Sequence, residues 1–493
     1  MESDGLKKKT ITSLFWKLFE KGGSAVVSLF VQIVMARLLT PEDFGALSVL
    51  LVFINIGNVV VQSGLNTAIV QARHISETDL STVFWLCFAV SGVLYLTVYF
   101  AAPFISTAYS MNGLVGPLRA LALVFFINAL NSIQIAIIQR NLEFNKFFFA
   151  TLFSVVVSAS LGIGLAINGF GLWALVIQQL SYQIANCLAH AAQLSWRPKF
   201  AFDFFRARAL FKYGSKLLAS GLLDQLYQSL SDLIIGRQFS SRDLGFVSQG
   251  KKYPLAIGSM LDGSIQPVML SAVSRLQDDK NRVKQLVRRA LKTSTFIIVP
   301  AMTLFAIAAN PLVNLLLGEK WLPCVPFLQM YCFVYALLPI HTTNLQALNG
   351  VGRSDLFLKL ELIKKAYGIC FMLFSAFVFK NVYLMIASYM VTGVISTFVN
   401  AWPNKTVIGY SYLEQLRDII PAFLLSAISG FFAWCITLFS LPPATTILLQ
   451  LIVMMIVYLG VAWLLHVEEF DYLLTIVKEV FDRIKHNRLN SSF

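Results

Sequence analysis

Long, mostly apolar blocks recur along the whole of this chain, and they constrain its fold more than any other feature. Met35–Val70, Val83–Ala102 and Thr295–Ala309 are examples. A helix needs roughly 20 mostly apolar residues to cross a bilayer. In lipid, only helices and closed barrels satisfy their own backbone. Barrel strands would appear as alternating segments of about ten residues, a pattern the sequence does not show. The chain therefore reads as an all-α polytopic membrane protein. Composition agrees: 57% of its 493 residues are hydrophobic and 13% charged, against about 25% charged in a soluble domain.

Fourteen spans are expected, near 13–36, 44–69, 80–101, 118–138, 148–167, 171–193, 213–236, 245–271, 294–317, 326–348, 360–379, 383–401, 419–439 and 444–465. The start, Met1–Thr10, is polar and carries Lys7, Lys8 and Lys9, with no small-residue cleavage site before the first span. The six cysteines form no CxxC and read as small hydrophobes, not as a disulfide framework or a metal site.

The net charge of +14 reads as a topology signal. With the N-terminus inside, inner loops and tails carry 28 of the 39 Lys and Arg residues, and outer loops carry six. That asymmetry is the positive-inside rule. It argues for two cytoplasmic termini and against a nucleic-acid partner.

The chain also repeats itself. "RLLTPEDFG" at 37–45 matches "RQFSSRDLG" at 237–245 in Arg, Asp and Gly, at an offset of 200. Glu20, Ser24, Ser28 and Gln32 on span 1 correspond to Ser220, Asp224, Gln228 and Asp232 on span 7, and Ser48 and Gln62 to Ser248 and Asp262. Six spans separate the copies, so both run the same way: a parallel repeat of two six-helix lobes. The expected division is 1–193 for the first lobe, 194–212 for a cytoplasmic linker, 213–403 for the second lobe, 404–467 for two extra helices and 468–493 for an amphipathic cytoplasmic tail.

Four-residue spacing keeps the polar stripes on one helix face. They are expected to line a lumen between the lobes, with Asn55 and Asn58 continuing the stripe on span 2. Interhelical glue is the competing role for the neutral residues. The charged ones point to a lumen, because intramembrane charges face water or a partner.

Gly245, Gly250 and Lys251 have P-loop spacing, but Lys252 stands where a P-loop needs Ser or Thr for magnesium, and the equivalent first copy is plain membrane helix. Lys251 and Lys252 are therefore cations in a membrane helix, about 10 Å below its expected outer end, next to Pro254. They suit an anionic ligand or snorkel to the headgroups. Lys17 and Lys21, flanking Glu20, add charge to the cytoplasmic half of span 1. Asp224, Asp232 and Asp262 are candidates for a coupling proton or sodium ion, or for pairing with the lysines. The five histidines are scattered, and HExxH and GxSxG are absent. An enzyme is not expected.

The stretches "FWKLFEKGGSAVVSLFVQIVMARLLTPEDFGALSV", "SGLNTAIVQ" and "QRNLEFNKF" resemble the Wzx-type polysaccharide-transporter flippases of the MOP superfamily. "RLQDDKNRVK" and "LLLGEKW" fit the WzxC-like members. The resemblance implies fourteen helices in two MATE-like lobes around a cavity. It implies translocation of undecaprenyl-pyrophosphate-linked oligosaccharide across the bacterial inner membrane by alternating access, without a cofactor. It also implies cationic cavity residues for the pyrophosphate, a role Lys17, Lys21, Lys251 and Lys252 fit by position. A glycan polymerase or export complex is a candidate partner beside membrane lipids. The alternative is a cation-coupled drug antiporter of the same superfamily, in which acidic residues would dominate the cavity.

Overall fold

A computed structural model describes residues 27–62, 69, 75–111, 113–141, 143–475 and 478–479. Lys17, Glu20 and Lys21 lie outside the described residues. The described residues form helices and no strand. Among the described residues, ten helical stretches are long and apolar enough to cross a membrane. Three further long helices, Leu172–Gln193, Phe204–Gln238 and Ser241–Leu276, cover the expected spans 6, 7 and 8 but are not among those ten. They carry many of the polar stripes, and this polarity distinguishes them from helices bathed in lipid.

Packing divides the chain into two compact units, Met1–Ser248 and Gln249–Phe493. The first holds α1 (Val27–Leu38), α2 (Pro41–Gln62), α3 (Glu77–Ala108), α4 (Val115–Leu121), α5 (Val124–Asn141), α6 (Phe144–Ile167), α7 (Leu172–Gln193) and α8 (Phe204–Gln238). It also holds the start of α9 (Ser241–Leu276). The division falls inside α9, not in the expected linker at 194–212, because α8 packs on α2. The start of that linker is pinned to α3. Lys199 N donates to Ser81 Oγ (3.2 Å), Asp203 N to Thr82 Oγ1 (3.0 Å), and Trp85 Nε1 to Lys199 O (2.8 Å).

The motifs that carry the resemblance have local physical reasons. Arg140 of "QRNLEFNKF" donates to the carbonyl of Ile69 in "SGLNTAIVQ" (3.0 Å) and ties those two segments together. In "RLQDDKNRVK", Asp279 caps the next helix by accepting from Asn281 N (3.0 Å) and Arg282 N (3.1 Å). In "LLLGEKW", Gly318 turns the chain at φ +96°, a conformation L side chains rarely adopt, and Trp321 is fully buried.

The second unit continues α9 and adds α10 (Lys280–Ile307), α11 (Ala309–Leu316), α12 (Val325–Ala336), α13 (Leu338–Gly350), α14 (Ser354–Phe374), α15 (Val382–Ala401), α16 (Tyr412–Cys435) and α17 (Pro443–Leu464). The charged first half of α10 carries three stripes of four-residue spacing. Val283, Val287 and Leu291 are fully buried in the core. Lys284, Arg288 and Lys292 each meet an acid. Lys284 pairs with Glu414 at 2.8 Å, and Arg288 forms a fork on Asp418 at 2.7 and 2.8 Å. Lys292 lies between Glu468 and Glu469 at 2.7 and 2.6 Å. Gln285, Arg289 and Thr293 form the third stripe.

Asp418 also accepts from Tyr410 Oη at 2.6 Å and is 7% exposed, whereas Arg288 is 53% exposed. Asp418→Asn keeps the shape and removes the charge. It is expected to lower stability by about 1–3 kcal/mol, less than a fully buried pair because water reaches the arginine. A thermal melt of the detergent-purified protein checks this.

The expected cytoplasmic tail starts as a helix at 468–475. Phe470 and Leu473 pack against Phe296, Leu425, Tyr458 and Ala462, so this part docks on the bundle and does not lie on lipid alone. The hydrogen bond from Lys292 holds the Glu468 carboxyl below its usual range. The tie is present at neutral pH and is lost only as pH falls through that lowered pKa.

Candidate functional site

The two repeat motifs meet each other in the first unit. α2 and α9 start with the same cap. Thr40 Oγ1 donates to Asp43 Oδ2 (2.8 Å) and Ser240 Oγ to Asp243 Oδ2 (2.6 Å), while each Asp N–H donates back to the hydroxyl. The matched aspartates are therefore capping residues. The matched glycines lie at a helix crossing. A Cβ on Gly45 would sit 1.7 Å from Ser241 O, and one on Gly245 would sit 2.0 Å from Pro41 O. The contact is reciprocal at the 200-residue offset, and Arg242 pairs with Glu42 at 3.3 Å beside it.

The stripe on α8 lies away from the core. Ser220, Asp224 and Gln228 are exposed and Asp232 is half-buried. Asn55 on α2 is exposed too. Asn58 accepts from Asn128 Nδ2 at 2.9 Å, which is interhelical glue.

Lys251 and Lys252 lie in the second unit, ten and eleven residues into α9, about 15 Å from its start. This is deeper than expected, because α9 begins at Ser241 and not at Gly245. Both are half-buried, and among the described residues neither has a carboxylate partner. α9 runs unbroken through Pro254 and Pro267. Each proline removes the donor for the carbonyl four residues earlier, and both of those residues are glycines, Gly250 and Gly263. Asp262 does not pair with these lysines: ten residues of helix hold it about 15 Å away. It accepts instead from Gln266 Nε2 (2.7 Å) and from Thr342 Oγ1 on α13.

Asp262 belongs to a polar cluster that the sequence reading did not assemble. Next to Thr342, His341 meets Asn400 Nδ2 of α15 at 3.2 Å. Lys364 on α14 is close enough for its charge to act on His341, and its Nζ pairs with Glu361 at 2.5 Å. One turn on, Tyr367 shares a 2.5 Å hydrogen bond with Ser396 of α15. Four helices thus bring a lysine, two carboxylates, a histidine, a tyrosine and an amide into one neighbourhood of the second unit. Lys364 and its neighbour Lys365 fall just inside the expected span 360–379, among the charges assigned to the inner side. α14 begins at Ser354, so they stand ten and eleven residues inside it, about 15 Å deep. The signal that would have found them is "ELIKKAYG" itself, three charges within an otherwise apolar span. A second network, Asn344, Gln415 and Asn404, is buried and joined by hydrogen bonds of 2.6–2.9 Å, with the Asn404 Oδ1 left without a partner among the described residues. It is structural.

Among the described residues Lys251 and Lys252 offer two ammonium groups without a carboxylate partner, and the second unit adds hydroxyls and amides, groups able to bind an anion. The sequence profile of the polysaccharide biosynthesis protein family matches residues 34–326. The chain belongs to that family. The WzxC-like resemblance read from the motifs is borne out by relatives along most of the chain. The lipopolysaccharide biosynthesis protein WzxC of Escherichia coli is 22% identical over 85% of this chain and 86% of its own length. The succinoglycan biosynthesis transport protein ExoT of Rhizobium meliloti is 22% identical over 84% and 82%. Among solved structures, the lipid II flippase MurJ in an inward closed conformation superposes with a TM-score of 0.72 at 15% identity, covering 92% of this chain and 99% of that one. At that identity the likeness speaks for the fold.

Proposed function

We propose that this family member is a flippase. It moves undecaprenyl-pyrophosphate-linked oligosaccharide repeat units across the bacterial inner membrane for exopolysaccharide or lipopolysaccharide assembly. The observation that carries the reading is the pair Lys251 and Lys252: adjacent, half-buried and, among the described residues, without a carboxylate partner, ten and eleven residues into a long helix of a polysaccharide biosynthesis protein. A diphosphate leaving water needs opposite charge and charge-assisted donors. Lys364 and Lys365 extend the cationic set. The exposed Asn55, Asp224 and Gln228 supply sugar hydroxyls with hydrogen-bond partners. Fourteen helices and alternating access complete the reading. The coupling ion, a proton or sodium, falls to the carboxylates, with Asp262 beside Thr342 and Gln266 the best-built position. Both termini are cytoplasmic, and a glycan polymerase is the natural recipient of the product.

The test measures lipid-linked glycan on each leaflet in cells carrying the wild type, Lys251→Ala/Lys252→Ala, or no gene. Without the gene, glycan should accumulate on the inner leaflet. The double variant, present in the membrane at normal amount, should clear it more than about tenfold more slowly, since each charged hydrogen bond contributes roughly 1.5–3 kcal/mol. Normal clearance would make the lysines snorkelling anchors. No accumulation without the gene, in a strain lacking any second flippase, would overturn the flippase reading.

A further inference from the structure

The third stripe of α10 opens onto a cavity of about 400 Å³. Gln285, Arg288, Arg289, Lys292 and Thr293 line it from α10, and Glu468, Glu469 and Tyr472 from the C-terminal helix. Its charges are not equivalent. Arg288 is engaged by Asp418, and Lys292 by Glu468 and Glu469. Arg289 has no carboxylate partner among the described residues, and its guanidinium stands 5.0 Å from the centre of the Tyr472 ring. One turn on either side along the same stripe stand Gln285 and Thr293, an amide and a hydroxyl. A planar cation backed by an aromatic ring, with neutral donors on both sides, is a receptor for a phosphate group.

The position of the cavity selects the kind of phosphate. α10 changes at Thr293 from charged to apolar, and α17 ends its apolar run at Leu465, three residues before Glu468. Trp463, Leu464 and Leu465 are 63–68% exposed and Ile297 is 41% exposed. The cavity therefore sits at the level where acyl chains give way to headgroups. We infer that it binds the phosphate of an anionic glycerophospholipid, held by Arg289 with Gln285 and Thr293, and that this lipid bridges α10 and the C-terminal helix. The inference stands independently of which glycan the protein moves.

The experiment titrates the full chain, purified in a neutral detergent, with phosphatidylglycerol, phosphatidylcholine or soluble glycerol phosphate, and follows the thermal midpoint. Phosphatidylglycerol should raise the midpoint saturably, and the other two should not. Arg289→Gln should shift half-saturation by at least about fivefold, the weight of one basic residue near an anionic surface. Thr293→Val, which keeps the charge, should shift it in the same direction. Lys380→Gln, a basic surface residue far along the chain, should leave it unchanged. The proposal is overturned if Arg289→Gln and Thr293→Val titrate as wild type, or if Lys380→Gln weakens binding as much as Arg289→Gln. It is overturned equally if glycerol phosphate stabilises as well as the lipid, which would make the site one for a soluble anion.

Discussion

Gly245→Ala is expected to cut transport more than tenfold and to lower the thermal midpoint by several degrees, and Gly45→Ala to do the same. A Cβ at either position would lie 2.0 or 1.7 Å from a backbone carbonyl oxygen of the other helix. A carbonyl in a first helical turn cannot rotate away as a flexible side chain does. The helices must part by more than about 1 Å to restore van der Waals contact. Such overpacking costs about 1–3 kcal/mol, and more where backbone blocks the relaxation. The double variant should cost clearly less than the sum of the two, because both substitutions open one crossing. Gly460→Ala is the control: its Cβ meets nothing within 4 Å, so alanine there should be neutral or slightly stabilising. Wild-type stability and transport in Gly245→Ala would mean that α2 and α9 do not meet as described.

Lys364→Gln should abolish most transport and destabilise the protein by roughly 2–4 kcal/mol, because it strands Glu361 in a setting that disfavours an unpaired carboxylate. Lys364 and Glu361 are 15% and 27% exposed. The informative variant is Glu361→Gln/Lys364→Gln, which removes both charges. Stability should return to within about 1 kcal/mol of wild type, since neutralising a whole pair costs far less than breaking it. Transport should stay low on the proposed function, in which Lys364 belongs to the cationic set that meets the substrate. Recovery of transport together with stability would show that the pair only holds α14 in place. Melting curves and leaflet-resolved glycan assays on the two variants separate the cases.

Much of the candidate site was legible, but unevenly. The stripe Ser220, Asp224, Gln228 was visible as a period of four, and it lies on an exposed face of α8 as that period demands. Lys251 and Lys252 stood out because the repeat supplied an apolar copy for comparison. Asn58 was read as lumen or glue with no means of choosing, and its bond to Asn128, seventy residues away, makes it glue. Lys364 falls inside the expected span 360–379, but close enough to its inner end to count with the inner charges of the positive-inside rule. His341 looked like an isolated histidine. Its neighbours Asn400 and Lys364 come from two other helices.

By itself, the sequence determined the membrane class, the helical period, the family and the 200-residue repeat. These follow from local chemistry: apolar length, four-residue spacing and capping residues act within one helix and need no partner. Tertiary structure alone decided what the matched glycines are for and which carboxylate each cation meets. It also decided which of three adjacent stripes on α10 has no carboxylate partner among the described residues. Those are properties of pairs of helices, and distances between helices are set by packing, which no single stretch of chain encodes.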